Sequence, residues 1–96
     1  MTDILHSQRA REDLKRIWRH TYLKWGEAQA NRYLDDMSLT IKRLAKNPEL
    51  GGPRDHVRQG YRAMLCGRHL IFYTVQVGAI RIVRVLHERM DVDRSI

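Results

Sequence analysis

The sequence Trp25-Gly26-Glu27-Ala28-Gln29-Ala30 decides the fold, because it joins two long helical patterns with almost no linker. Gly26 can adopt the left-handed conformation that commonly ends a helix, and an apolar stripe resumes at Ala30. A connection of one or two residues leaves the two helices as antiparallel neighbours. The stretch therefore predicts a helical hairpin in the N-terminal half of the chain.

Both helices of this hairpin have a clear core-facing stripe. Ser7 is the predicted N-cap of the first, since its hydroxyl can accept a hydrogen bond from a free backbone N–H. Asn47-Pro48 ends the second, because proline disfavours helical backbone in the residue before it. The residues of each stripe recur at helical spacing. In the first helix they are Ala10, Leu14, Ile17, Thr21, Tyr22 and Trp25, and in the second they are Ala30, Tyr33, Leu34, Met37, Ile41, Leu44 and Ala45.

Segments rich in β-branched and aromatic residues predict strands on both sides of the hairpin. A short first strand is predicted at Asp3–His6. After a loop at 49–55, three strands joined by tight turns at Gly67-Arg68 and Gly78 are predicted at 61–66, 70–77 and 79–87. In the last strand, simple alternation places Arg81, Val83, Val85 and His87 on one face and Ile80, Ile82, Arg84 and Leu86 on the other.

These elements predict an α+β fold of order β-α-α-β-β-β. The antiparallel two-helix hairpin should pack on one face of a small twisted antiparallel sheet of four strands. With 96 residues there is room for one domain, which we assign to 1–96. Within it, 88–96 is expected to be a polar C-terminal tail in which only Met90 and Ile96 have reason to pack.

The charge of the chain indicates an acidic partner. The net charge is +7 and the isoelectric point is near 10.2, which favours nucleic acid or an acidic protein. All lysines precede Pro53, and every cation after it is arginine. Because the arginine fork binds carboxylate and phosphate in a bidentate manner, the second half is the expected recognition surface.

Composition also predicts a cytoplasmic protein without cofactors. Cys66 is the single cysteine, which argues for a reducing compartment, and its apolar neighbours indicate a buried residue rather than a nucleophile. There is no apolar run near the ~20 residues that span a bilayer, and the N-terminus does not resemble a signal peptide. No histidine or cysteine spacing is typical of zinc, and Gly51-Gly52-Pro53 is a turn rather than a phosphate-binding loop.

Several motifs in order carry a family likeness. They are Ala10-x-x-Asp13-Leu14-x-x-Ile17, Trp25-Gly26-x-x-Gln29-Ala30-x-x-Tyr33, Leu44-x-x-Asn47-Pro48-x-x-Gly51, Gly60-Tyr61-Arg62, His69-x-Ile71-Phe72-Tyr73 and Ile82-Val83-Arg84-Val85-Leu86-His87-x-Arg89-Met90-Asp91. The chain resembles the RelE/ParE superfamily of toxins, and within it the ParE branch, over nearly its whole length. The resemblance implies the toxin of a type II toxin–antitoxin system, held in a hetero-oligomeric complex by an antitoxin from an adjacent gene. ParE-like members are generally described as poisons of DNA gyrase, and RelE-like members as ribosome-dependent ribonucleases.

Two mechanisms stay open for such a toxin. RNA cleavage needs a general base, a general acid and cationic stabilisation, and arginine supplies only the third. The RelE-like pattern carries basic residues in the loop before the sheet and a tyrosine near the C-terminus, whereas here the loop 51–59 has no lysine and the tail 86–91 has no tyrosine. Because His87 also has no evident partner, we predict a non-catalytic toxin. If the chain is a nuclease, the residues expected to act are His87, Arg62, Arg81 and Arg84. His87 could instead hydrogen-bond the tail backbone and fix its direction, and His69 is expected to cap the turn that it follows.

The binding surfaces are expected on the hairpin and on the sheet. Trp18 lies off the main helical stripe, so it should be partly exposed and could anchor a partner helix. Open sheet edges can accept an extended peptide whose acidic side chains would meet arginines. The antitoxin residues predicted in this way are Trp18, Tyr22, Tyr61, Arg62, Arg81 and Arg84, and the target residues are His87, Arg89 and Met90. The expected partners are the cognate antitoxin and DNA gyrase, with no membrane and no direct sequence-specific binding of nucleic acid.

Overall fold

The computed structural model describes residues 2–96 and confirms the predicted α+β element order. Its elements are β1 (Asp3–His6), α1 (Gln8–Trp25), α2 (Glu27–Lys46), β2 (Gly52–Pro53), β3 (Arg62–Cys66), β4 (His69–Gln76), β5 (Ala79–His87) and α3 (Val92–Ser95). Two short elements, β2 and α3, were not predicted. Neither is long enough to show a repeating pattern in sequence.

The sheet differs from the prediction in two respects. It has five strands in the order β1-β5-β4-β3-β2, because the segment expected to be only a loop contributes β2 at one edge. It is also mixed, since β1 pairs with β5 in parallel while the other pairs are antiparallel. The residues within a strand fix which face is buried but not the direction of a distant partner, so this pairing was not readable from the sequence.

The hairpin forms as the sequence predicts. The Ser7 hydroxyl accepts a hydrogen bond from the Ala10 backbone N–H at 3.0 Å and donates to the Val83 carbonyl at 2.8 Å. Gly26 alone separates α1 from α2, with a φ of 92° that a side chain would oppose. Its N–H donates to the Tyr22 carbonyl at 2.8 Å. The bond between Ser7 and Ala10 caps the start of α1, and the positive φ of Gly26 ends the helix.

Apolar residues cover both faces of the sheet. The helix-facing cluster joins Ala10, Ile17, Met37, Ile41, Leu44 and Ala45 to Ile71, Tyr73, Ile80, Ile82 and Val85. The opposite cluster contains Ala63, Phe72 and Leu86, packed against Tyr61, Leu70, Val83, Val92 and Ile96. The segment expected to be a polar tail therefore contributes Val92 as well as Ile96 to the outer face, and α3 covers part of it.

A bulge in β5 changes the predicted faces of that strand. Phe72 and Tyr73, which are adjacent on β4, pair with residues of β5 that lie two positions apart, and Val83 is the extra residue. Such a bulge reverses the side-chain alternation beyond it. The prediction that Ile82 and Leu86 share a face is therefore wrong. Ile82 packs toward the helices, and Leu86 lies in the opposite cluster.

A buried ion pair connects α1 to the far half of β5. The Asp13 carboxylate accepts from Arg84 Nε at 2.8 Å, from Arg84 Nη2 at 3.0 Å and from the Val85 backbone N–H at 3.0 Å. Asp13 is 2% exposed and Arg84 8% exposed. Arg84 also donates to the Ser95 carbonyl, which brings α3 into the same network. The carboxylate raises the pKa of Arg84, so the guanidinium stays charged.

We expect Asp13→Ala to lower the free energy of unfolding by about 3–5 kcal/mol, because it leaves the buried Arg84 charge without a partner. Urea unfolding measures this loss directly. The control is Glu12→Ala, which removes an exposed carboxylate from the same helix and should change stability by less than about 0.5 kcal/mol. If Asp13→Ala does not fold at all, Asp13→Asn provides the measurable variant. Equal stability of the Asp13 and Glu12 variants would contradict the assignment.

Candidate functional site

A cleft of about 430 Å³ opens between the helical hairpin and one end of the sheet. Its walls come from the end of α1, the start of α2, the β3–β4 turn and the end of β5. The side chains that give the cleft its chemistry are Lys24, Trp25, Arg68, His69, His87 and Arg89. Sequence reasoning identified two of these six, His87 and Arg89, as functional residues.

His69 is held to α2 by Tyr33. The Tyr33 hydroxyl lies 2.7 Å from His69 Nδ1 and 3.4 Å from the Cys66 carbonyl, and it accepts from the Arg68 backbone N–H at 3.0 Å. The hydroxyl can donate its proton either to His69 Nδ1 or to the Cys66 carbonyl. Because the distance to His69 is much the shorter, we assign the donated hydrogen bond to His69. The neutral His69 ring then carries its own proton on Nε2. The predicted capping role of His69 is replaced by this bond.

The turn that places His69 requires glycine. Gly67 has a φ of +60°, and a Cβ there would lie 2.6 Å from the Tyr33 hydroxyl. Any side chain at this position would push Tyr33 away from the turn and separate it from His69. The glycine therefore serves the cleft as well as the turn.

His87 is not alone, so the prediction of a histidine without a partner is wrong. Its ring lies edge-on to His69, with 5.3 Å between the centroids and 81° between the planes. His87 Nδ1 accepts from the Arg89 backbone N–H at 3.1 Å. This is the hydrogen bond to the tail backbone that the position of His87 at the end of the strand predicts as an alternative to catalysis. It also fixes the proton of the neutral ring on Nε2.

The electrostatics of the cleft favour the binding of an anion. The pKa of His69 is lowered to about 4, first by burial and then by the neighbouring His87, so this ring is neutral near pH 7. Both imidazoles use Nδ1 as an acceptor, which leaves each with only an N–H donor. Arg68 forms an ion pair with Glu88 at 3.3 Å on the rim.

The structure brings the two predicted hairpin residues together. Trp18 and Tyr22 stack with 5.1 Å between ring centroids and 13° between planes. Trp18 is half-buried and donates from Nε1 to Asn31 Oδ1 on α2 at 2.9 Å. Tyr22 is 45% exposed. The pair thus forms an aromatic surface on the hairpin, with Tyr22 as its open part.

The predicted arginines of the sheet do not form one surface. Arg62 donates to the Gly51 and Glu49 carbonyls at 2.9 and 3.0 Å, so it holds the loop before β2. Arg84 is buried against Asp13 and is not available to a partner. Arg81 is exposed, and the ion pairs found among residues 2–96 do not include it.

The residue set expected for a nuclease is also divided. Arg81 lines a second cleft with Arg58 and Tyr61, whereas His87 lines the first. Arg81 and His87 are six positions apart on β5, which corresponds to roughly 20 Å of strand. The four residues His87, Arg62, Arg81 and Arg84 therefore do not converge on one site.

The described residues contain no arrangement typical of a metal site or a membrane span. No three His, Cys, Asp or Glu side chains lie close enough within residues 2–96 to hold a metal ion. In that same range, no helix has both the length and the apolar character needed to cross a bilayer.

Comparison with known proteins places the chain in a family. A family model described as the ParE toxin of the type II toxin–antitoxin system parDE matches residues 4–92. The chain belongs to the ParE toxin family. Toxin ParE1 of Mycobacterium tuberculosis is 46% identical over 93 residues, which are 96% of this chain and 95% of that protein. Toxin ParE1 of Caulobacter vibrioides is 40% identical over 85 residues, 88% of each chain.

The fold of this ParE toxin also has a counterpart among solved structures. A chain of the chromosomal ParDE system from P. aeruginosa superposes with a TM-score of 0.79 at 21% identity, covering 91% of this chain and 96% of that one. At this identity the likeness shows the fold alone. The family match and the two relatives confirm the ParE branch that the sequence motifs indicate.

The low pKa of His69 predicts a pH dependence of stability. In the unfolded chain a histidine binds its proton below about pH 6.5, whereas folded His69 binds it only near pH 4. Its contribution is therefore fully present above pH 6.5 and is lost as the pH falls. We expect about 1 kcal/mol of loss between pH 7 and pH 5, after allowance for screening of a half-exposed ring. Urea unfolding of His69→Gln should show a correspondingly shallower profile; parallel profiles would contradict the assignment.

Proposed function

We propose that this ParE toxin arrests growth by binding DNA gyrase and catalyses no reaction of its own. The observation that carries the non-catalytic part is the state of the two imidazoles. Each has its Nδ1 lone pair engaged by an internal donor, Tyr33 for His69 and the Arg89 N–H for His87. A general base needs a free lone pair within reach of the substrate proton. The cleft offers donors and positive charge instead.

The proposed contact with gyrase lies at the end of β5. Arg89 and Met90 are exposed there, and His87 lies beside them on the cleft. Arginine offers a planar donor fork, and methionine adapts its shape to an apolar partner, a combination common in protein interfaces. The general description of ParE-like toxins as gyrase poisons supports gyrase as the target, and the exposure of Arg89 and Met90 supports this surface as the contact.

A second function has one specific observation in its favour. His69, His87 and Tyr33 lie together in a cleft bordered by Arg68 and Arg89, and such a set could cleave RNA if one imidazole released its internal bond. This ribonuclease would use residues different from the set expected from the sequence, apart from His87. The cleavage assay below distinguishes this ribonuclease from a toxin that acts by binding gyrase.

We expect the purified toxin to inhibit gyrase supercoiling at near-stoichiometric amounts, because inhibition by binding saturates when every site is filled. Arg89→Ala and Met90→Ala should each weaken inhibition roughly tenfold if they are central contacts. The matched control is Arg43→Ala, which removes an equally exposed arginine at the end of α2, away from the cleft. Full gyrase activity at excess toxin would contradict this target.

A cleavage assay tests the non-catalytic mechanism independently of the gyrase target. Transcripts should stay intact in cells that are arrested by the toxin, and in translation extracts that contain it. His87→Gln keeps a polar group at the contact, so it should weaken toxicity only in part. Loss of all toxicity in His87→Gln, together with cleaved messages in cells expressing the parent toxin, would establish the ribonuclease instead.

We further propose that a cognate antitoxin covers this toxin in a hetero-oligomeric complex. The stacked Trp18 and Tyr22 on the hairpin offer an apolar anchor, and exposed Arg81 beside Tyr61 offers a charged one. An acidic antitoxin would match the net charge of +7. Arg62 and Arg84 are engaged inside the chain, so they support these surfaces without contacting the antitoxin themselves.

We expect Tyr22→Ala to weaken the affinity for the protein encoded by the adjacent gene roughly tenfold, since aromatic anchors dominate binding energy in interfaces. Titration calorimetry on the purified pair measures this change. Val77→Ala, an exposed apolar residue at the tip of the β4–β5 turn, provides the control and should have no effect. Equal affinities for the two variants would remove the hairpin from the antitoxin site.

A further inference from the structure

We propose that the cleft at His69 and His87 binds a single-stranded nucleic acid, taking one phosphate group among its donors and one base on Trp25. The binding is independent of base sequence. This proposal rests on the cleft alone, so it does not depend on gyrase being the cellular target. It adds a ligand to the site and no reaction.

Donors and cations line the cleft together, and no carboxylate is among its lining residues. The two imidazoles lie 5.3 Å apart and line the same cavity, and the Nδ1 bonds leave each ring with an Nε2–H. Lys24, Arg68 and Arg89 add three positive charges around them, and Glu88 neutralises only one, through Arg68. An oxyanion is the ligand that satisfies N–H donors and cations together.

An exposed aromatic ring adjoins these donors. Trp25 is 67% exposed at the last position of α1, and Lys24 Nζ lies 5.6 Å from its ring centroid. A large exposed indole beside positive charge is the arrangement with which proteins stack the bases of single strands while they hold the backbone. Trp25 belongs to neither of the two apolar clusters that cover the sheet.

A nucleotide fits this cleft better than an acidic peptide does. A glutamate or aspartate side chain would satisfy the donors but would leave the face of Trp25 without a stacking partner. A nucleotide supplies both an anion and a planar π surface. The volume of about 430 Å³ lies in the range of small-ligand sites. It therefore accepts a single nucleotide unit, with the rest of the strand outside.

The test measures fluorescence anisotropy of labelled six-nucleotide strands, one of deoxythymidine and one of uridine, with the full-length chain. We expect Trp25→Leu to weaken binding roughly tenfold. Arg89→Ala should lower the slope of log affinity against log salt by about 0.7. Arg43→Ala is the matched control, because it removes the same charge from a helix end outside the cleft. All three side chains are exposed, and circular dichroism verifies that the variants fold.

Three results would overturn the proposal. The first is no binding of either strand at low salt. The second is equal weakening by Arg43→Ala and Arg89→Ala, since that indicates attraction to net charge alone. The third is equal affinity for a labelled hexaglutamate with the same dependence on Trp25 and Arg89, which would make an acidic peptide the occupant. Binding of the two strands with unequal affinity supports the site and identifies whether DNA or RNA is preferred.

Discussion

The structure depends on one buried carboxylate at the free edge of a strand. β1 pairs with β5 only as far as Ile82, and beyond that point the edge of β5 would present unpaired backbone groups. Asp13 accepts from the Val85 N–H there and from the Arg84 guanidinium, while Arg84 reaches the Ser95 carbonyl. One side chain of α1 thus ties the hairpin, the last strand and the C-terminal helix together. Because α1 is fixed in this way, its last turn lies over the end of β5 and closes the cleft.

The cleft supports the proposal that this ParE toxin acts by binding, although two histidines are neighbours in it. Two neighbouring histidines could transfer protons, yet here Nδ1 of each ring accepts a hydrogen bond from a donor within the chain. Tyr33 from α2 fixes His69, and the backbone of Arg89 fixes His87. Burial of His69 beside His87 keeps that ring neutral. What remains for a ligand of the cleft is a set of N–H donors with cations at the rim, which suits recognition of an anion.

The hairpin, its N-cap at Ser7 and the β3–β4–β5 meander could be predicted from the sequence because local periods and turn residues determine them. The cleft could not. Extending the pairing of Gln76 with Ala79 along a regular hairpin places Leu86 opposite His69. The extra residue Val83 moves the register by one and brings His87 there instead. A bulge has no strong local signal, so the partner of His87 was missed, and the faces beyond Val83 were assigned wrongly. The ion pair of Asp13 with Arg84 spans 71 positions and has no local signal either.

The central claim is that both imidazoles present N–H donors and hold no free lone pair. Long-range ¹H–¹⁵N correlation spectra of the histidine-labelled chain at pH 7 measure it directly, because ring nitrogen shifts distinguish the two tautomers and the imidazolium. We expect Nε2 of both rings to carry a proton and Nδ1 of both to accept a hydrogen bond, and His69 to change to Nδ1–H or to a mixture in Tyr33→Phe. A proton on Nδ1 together with an unprotonated Nε2 in either ring of the parent chain would leave a free base in the cleft and contradict the account.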